Sequence, residues 1–156
     1  MTDAEKMQLL LDREQIREAV YVYPVSIDTR DWKRFRSIFT DEIEVLLRMV
    51  DNPRTPQRVN ADEFTRMVTN VIESFSVTQH FLNDYHIEVS GDEAKCFLYM
   101  YARHMPPKNK PAQAIWDIGG YYEFHLRRTA DGWKVPKYTL IGTWETNRPK
   151  DLKIDL

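Results

Sequence analysis

The chain has 156 residues, 42% hydrophobic and 29% charged, and its 22 basic against 24 acidic side chains leave a net charge of −2. These are the proportions of a soluble globule with one core. The absence of a basic block excludes the electrostatic footprint of a nucleic-acid binder, and no apolar run approaches a membrane-spanning length. The single cysteine, Cys96, excludes an internal disulfide and a cysteine-based zinc cluster, and the charged start Met1-Thr2-Asp3 is unlike a secretion signal, so a cytoplasmic location is expected.

Ile16, Val20, Tyr23 and Ile27 recur at helical spacing and predict a first helix over residues 4–27, with Pro24 inside it as the site of a kink. Asp28 closes that segment on the side of Tyr21 and Val25. Apolar neighbours and the negative end of the helix dipole would both oppose its ionisation there and favour it as a proton acceptor. Asp31 is placed to cap a short second helix with Trp32, Phe35, Ile38 and Phe39 as its buried stripe. Ile43, Val45, Leu47 and Met49 alternate with polar residues and predict a strand, followed by a loop over residues 51–56. Asn60 and Glu63 resemble a capping box ahead of a third helix, whose stripe is Phe64, Met67, Val68, Val71, Ile72 and Phe75.

From Ser76 the apolar period falls from 3.6 to 2, which predicts four long strands over residues 76–90, 93–105, 113–128 and 132–146. Turns are expected at Ser90-Gly91-Asp92 and Ala130-Asp131-Gly132, a longer loop at Met105–Pro111, and a bulge or bend at Gly119-Gly120. Helices followed by antiparallel strands give an α+β fold, expected here as one domain over residues 1–156 with a core at about 5–146 and a tail at 147–156.

Alternation places Ala94, Cys96, Leu98, Met100, Ala102 and His104 on one face of a strand, so His104 ends an apolar face and needs a partner or a ligand. His80, between Thr78 and Leu82, is a second interior candidate, whereas His86 and His125 fall on polar faces. Two imidazoles and a carboxylate are a conceivable iron or zinc set, but no His-x-x-x-His spacing supports a metal, and neither a metal nor an organic cofactor is expected. Phe97, Tyr99 and Tyr101 share the opposite face from His104 and predict a homo-oligomer, a dimer by sheet-on-sheet packing with a trimer as the variant.

Three segments carry a family resemblance that spans Asp12 to Trp144: Tyr23 through Trp32, with Asp28 ahead of Asp31-Trp32; Thr78-Gln79-His80-Phe81; and Gly119 through Phe124 with the closing hairpin Arg127 to Val135. In order and spacing the chain resembles the SnoaL-like family of the cone-shaped superfamily named after nuclear transport factor two, which includes scytalone dehydratase, bile-acid 7α-dehydratase and polyketide cyclases. The resemblance implies a cone of N-terminal helices on a strongly curved, mostly antiparallel mixed sheet that encloses a pocket. It also implies that Asp28 and His80 form an acid–base dyad, that Tyr23 donates to a developing enolate, and that His104 protonates a leaving hydroxyl. Where scytalone dehydratase has two tyrosines this chain has Ile27 and about Leu47, so that enzyme's substrate is not carried over.

The resulting expectation is a cofactor-independent lyase, isomerase or cyclase acting on an apolar polyketide, aromatic or steroid-like substrate, with Trp116, Tyr122, Phe124 and Trp144 lining its pocket. The rival readings are a non-catalytic ligand-binding or scaffold domain, and the small subunit of an aromatic-ring dioxygenase. No nucleic acid or membrane is expected as a partner.

Overall fold

A computed structural model describes residues 1–50, 54–152 and 154 of the chain. The first helix, α1 (Asp3–Thr29), opens on a capping box in which the Thr2 hydroxyl accepts the Glu5 N–H and the Glu5 carboxylate takes the Thr2 N–H. It runs through Pro24 and stops at Arg30, whose left-handed φ of 61° turns the chain while the N–H groups of Arg30 and Asp31 bond back to Ile27 and Ser26. Asp31 caps α2 (Trp32–Ser37) by accepting the Arg34 N–H at 3.0 Å.

Ile38 and Phe39 are buried but are not helical: Phe39 already begins strand β1 (Phe39–Arg48), four residues before the predicted start. The loop expected at residues 51–56 falls partly outside the described residues. It leads into β2 (Gln57–Asn60), a strand the alternation pattern did not announce, because Val59 is its one apolar residue. Helix α3 (Ala61–Ile72) is capped by Asn60 through the Asp62 N–H at 2.9 Å rather than through a box with Glu63, and Phe75 lies beyond its end.

Four long strands complete the fold: β3 (Val77–Ser90), β4 (Glu93–Met105), β5 (Trp116–Thr129) and β6 (Gly132–Thr146). β5 begins three residues later than expected. The six-stranded sheet has the order β2-β1-β6-β5-β4-β3, with β1 and β6 parallel and every other neighbour antiparallel. It is open, with β2 and β3 as its edges. Its inner face buries the alternating residues of β4 and β5 against α1, α2 and α3, and the outer face of β4 carries Phe97, Tyr99 and Tyr101.

Bulges curve the sheet around the helices. One falls at Gly119-Gly120, where Gly119 pairs with Trp144 but Gly120 pairs with Gly142. A Cβ on Gly120 would collide with the Ile141 carbonyl oxygen, and one on Gly119 with the Trp144 indole, so both glycines are required by close approach. Away from the pocket, the carboxylate of Asp12 on α1 accepts a bidentate pair of bonds from Arg128 at 2.8 and 2.9 Å, and the same guanidinium lies 4.4 Å above the Trp133 ring. That contact ties the middle of the long helix to the far end of β5.

Candidate active site

The end of α1 docks on the edge strand β3. A strand at a sheet edge leaves N–H groups without a strand partner, and Asp28 takes one of them: Oδ2 accepts the His80 N–H at 2.8 Å. The other oxygen, Oδ1, lies 2.7 Å from His80 Nδ1 and accepts the Thr78 hydroxyl at 2.9 Å. The polarity of the Thr78 bond is fixed, because Arg30 Nη1 donates into that hydroxyl at 2.8 Å and leaves the Thr78 proton to Asp28.

With three donors aimed at it, Asp28 is a carboxylate. Partial burial pushes its pKa up, but the hydrogen bond and charge of His80, the His80 N–H and the Thr78 hydroxyl together outweigh burial, and the net shift is downward. This corrects the expectation that its surroundings oppose ionisation. The side it was placed on also differs, since Tyr21 is 50% exposed. The helix-dipole argument meets Arg30, which sequence reasoning missed. Its guanidinium donates to the carbonyls of Ile27 at 2.8 Å, Phe75 at 3.3 Å and Ile72 at 3.5 Å, and so sets a cation over the C-terminal ends of α1 and α3. A basic residue one position past a helix end was the available signal.

An ionised Asp28 makes His80 the Nδ1–H tautomer, with the Nε2 lone pair left over. The His80 side chain is 5% exposed and lines a cavity between the inner sheet face and the helices. His104 also lines it, 3% exposed, with its ring 5.5 Å from that of His80 and 4.2 Å from Trp116. Its Nδ1 lies 3.2 Å from the Trp116 carbonyl oxygen, which only accepts, so the proton is on Nδ1. Burial first, and then the His80 charge, lower its pKa to about 3. His104 is a neutral imidazole.

The cavity's remaining wall is apolar and includes Leu47, Met67, Met100, Ile118 and Leu140, with Ile154 reaching across from the C-terminal segment. Its volume is about 80 Å³, room for roughly six waters at about one probe sphere each. At one end stand three phenols. Tyr23 and Tyr138 share a hydrogen bond of 2.6 Å, and the Tyr122 ring lies 5.3 Å from that of Tyr23. Burial raises the pKa of all three, that of Tyr122 to about 12, so all are protonated donors at neutral pH.

Of the aromatic residues expected to line the pocket, Trp116 and Tyr122 do so. Phe124 does not: it is fully buried one step deeper, packed at 5.4 Å on both Tyr23 and Tyr138. Trp144 does not either. The bulge at Gly119-Gly120 turns it to the outer face, where it is 46% exposed and stacked on Tyr101. Tyr138, absent from the sequence-based set, takes their place. Among the described residues, no group of three or more His, Cys, Asp or Glu side chains is arranged to hold a metal, and no helix is long and apolar enough to cross a membrane.

Comparison with known proteins agrees with this architecture. Residues 8–139 match the profile described as the SnoaL-like domain. Among solved structures, the Kfla4162 protein of Kribbella flavida superposes with a TM-score of 0.81 at 24% identity, over 93% of this chain and 96% of that one. A protein named as a candidate scytalone dehydratase from Novosphingobium aromaticivorans gives 0.80 at 18% identity, over 94% of each chain. A type 2 hexachlorocyclohexane dehydrochlorinase gives 0.76 at 17% identity, over 93% of this chain and 94% of that one. At such identities the likeness is one of fold. No curated protein matches the sequence.

Proposed function

The chain belongs to the SnoaL-like domain family, and we propose that it is a lyase that eliminates water or a comparable leaving group from a small, largely apolar substrate. The observation that carries this reading is the His80 Nε2 lone pair, set in an apolar cavity and backed by an ionised Asp28. His80 takes a proton from a carbon next to a carbonyl, and Asp28 holds the imidazole tautomer and stabilises the imidazolium that forms. Tyr23 donates to the enolate oxygen. His104, with its proton committed to Trp116 and its pKa far below neutrality, serves as an acceptor for a substrate hydroxyl rather than as the acid. The proton for the leaving group then comes back from His80. Structural neighbours named as dehydratases and a dehydrochlorinase support elimination chemistry.

Cavity size narrows the substrate. A volume of about 80 Å³ is roughly half the ~150 Å³ engineered cavity that admits benzene, so the cavity takes at most a single ring, and that only as its side chains shift, and a four-ring steroid does not fit. Met67 and Met100, with flexible unbranched side chains, supply what adjustment a substituted ring needs.

The test does not require the natural substrate. In heavy water, wild-type protein is expected to speed the loss of the α C–H signal from single-ring ketones, followed by proton NMR, and His80→Ala is expected to abolish that acceleration. No acceleration over buffer across a ring-ketone panel would rule the base out.

The outer sheet face bears on assembly. Phe81, Tyr99 and Trp144 are 49%, 54% and 46% exposed, and Phe81 and Trp144 each stack on Tyr101. A homodimer that packs this face on its copy would bury them. Sedimentation at micromolar concentration is expected to give a dimer that Tyr99→Asp dissociates. A wild-type monomer under those conditions would refute the assembly.

A further inference from the structure

We propose that Arg30 and Thr78 are positioning residues for the base: the guanidinium holds the Thr78 hydroxyl, the hydroxyl holds Asp28, and Asp28 keeps the His80 proton on Nδ1. The effect on catalysis rests on the elimination proposed above, whereas the effect on the His80 ring does not.

Arg30 occupies a backbone position that its residue type does not favour. It ends α1 in the left-handed region, at φ 61°, where glycine is the usual residue because it has no Cβ to clash. The side chain supplies a reason for keeping arginine there. Both protons of Nη1 are engaged at 2.8 Å, one by the Ile27 carbonyl and one by the Thr78 hydroxyl. Nη2 donates to the carbonyls of Phe75 and Ile72 at 3.3 and 3.5 Å, and Nε faces the Glu73 carboxylate at 3.9 Å. Every donor of the planar fork is thus aimed at the end of α1, the end of α3 or the start of β3. A lysine, with three donors and no fork, could not repeat this pattern.

Thr78 carries the arrangement to the chemistry. A hydroxyl has one proton, and with Arg30 donating to its oxygen that proton goes to Asp28 Oδ1 at 2.9 Å. The same oxygen lies 2.7 Å from His80 Nδ1, while Oδ2 accepts the His80 N–H at 2.8 Å. Without the Thr78 donor, the carboxylate is held only by the residue that it must orient. It then rotates, and the Nδ1 proton loses its fixed acceptor. The Nε2–H tautomer, which presents no lone pair to the cavity, gains population.

Neither Arg30 nor Thr78 lines the cavity, so both act through Asp28. Strand β3 is a sheet edge, and the bond from Arg30 to Thr78 braces it on the side that has no neighbouring strand. The same guanidinium fixes the Phe75 carbonyl, and the Phe75 ring packs 4.9 Å from that of His104. One side chain therefore supports the strand that bears His80 and the ring that backs His104.

Nitrogen-15 spectra of the His80 ring and α-proton exchange from single-ring ketones test this on full-length variants. Thr78→Val removes the hydroxyl and Thr78→Ser keeps it; Arg30→Gly suits the left-handed position, so the fold is expected to persist, as Tm will report. Wild-type protein is expected to show one His80 tautomer, protonated at Nδ1. In Thr78→Val and Arg30→Gly the Nε2–H form is expected to appear and exchange to slow by about 10- to 100-fold, as when a reacting group is slightly misplaced. Arg30→Lys, which keeps the cation but not the fork, is expected to fall with Arg30→Gly, and Thr78→Ser to match wild type. Because the two residues act in series, Arg30→Gly/Thr78→Val is expected to be no slower than the slower single variant. A merely structural Arg30 gives another pattern: a lower Tm, an unchanged His80 tautomer, and losses that multiply in the double variant. An unchanged ring spectrum in Thr78→Val or Arg30→Gly, or multiplying losses, overturns the proposal. Ring spectra that change as described, in a protein whose wild type catalyses no exchange, sink the elimination and spare the positioning. Exchange that persists in every variant with unchanged ring spectra does the reverse.

Discussion

Asp28→Asn is expected to cut the rate of α-proton exchange, and of turnover once a substrate is in hand, by about three to four orders of magnitude. The carboxylate accepts from three donors, the His80 ring, the His80 N–H and the Thr78 hydroxyl, all at 2.7 to 2.9 Å. Asn keeps the shape and one accepting oxygen, which satisfies the His80 N–H. Its NH2 then faces His80 Nδ1 and donates to it, and the imidazole proton moves to Nε2, the nitrogen on the cavity. The base disappears while the fold remains. Nitrogen-15 spectra of the His80 ring would report the tautomer change without any substrate. Exchange near the wild-type rate in a variant with the switched tautomer would place the base elsewhere.

The second large effect is on stability against acid. His104 has a folded pKa of about 3 against about 6.5 for an unfolded chain. Between those values the unfolded chain binds a proton that the folded chain excludes, so stability is complete above about pH 6.5 and falls as pH drops toward 3. The slope approaches about 1.4 kcal/mol per pH unit in that window. Asp28, whose folded pKa is lowered, adds its own loss only below the ordinary carboxylate range near 3.8, and comparing wild type with a His104 variant removes the contribution of groups common to both. Urea denaturation of wild type and His104→Gln across that window should give curves that converge toward acid, because Gln fills the site and bonds Trp116 without titrating. Parallel curves would mean that the imidazole is charged in the fold.

Much of the site was legible in periodicity. His104 closes the apolar side of a strand whose every second residue is buried, and the structure buries it there. His80 and Asp28 were both visible as polar residues with apolar neighbours. Sequence alone gives the Asp28 environment the wrong sign: the helix dipole and apolar neighbours argue against charge, but the ring and N–H of His80, 52 residues away, and then the Thr78 hydroxyl outweigh them. A pKa sums contributions from groups that only tertiary structure assembles.

Strand β6 shows the boundary most clearly. Trp133 and Val135 face inward, and strict alternation would continue to Lys137 and Thr139. Instead Tyr138 is buried and Leu140 lines the cavity, because a register shift opposite His125 and Arg127 inserts a residue. A second shift, at Gly119-Gly120, turns Trp144 outward just where alternation from Tyr138, Leu140 and Gly142 would bring it in. The sequence by itself determined the element types, the inner faces of β4 and β5, the stripe of α3, and the glycine pair that bends the sheet, because each is a local periodic or steric property. Tertiary structure alone decided β2, the parallel pairing of β1 with β6, and which aromatic rings of β5 and β6 meet the cavity. A bulge costs its own strand little, and its place is set by the ladder of the neighbouring strand. A shift of one residue there exchanges every side chain beyond it between core and surface.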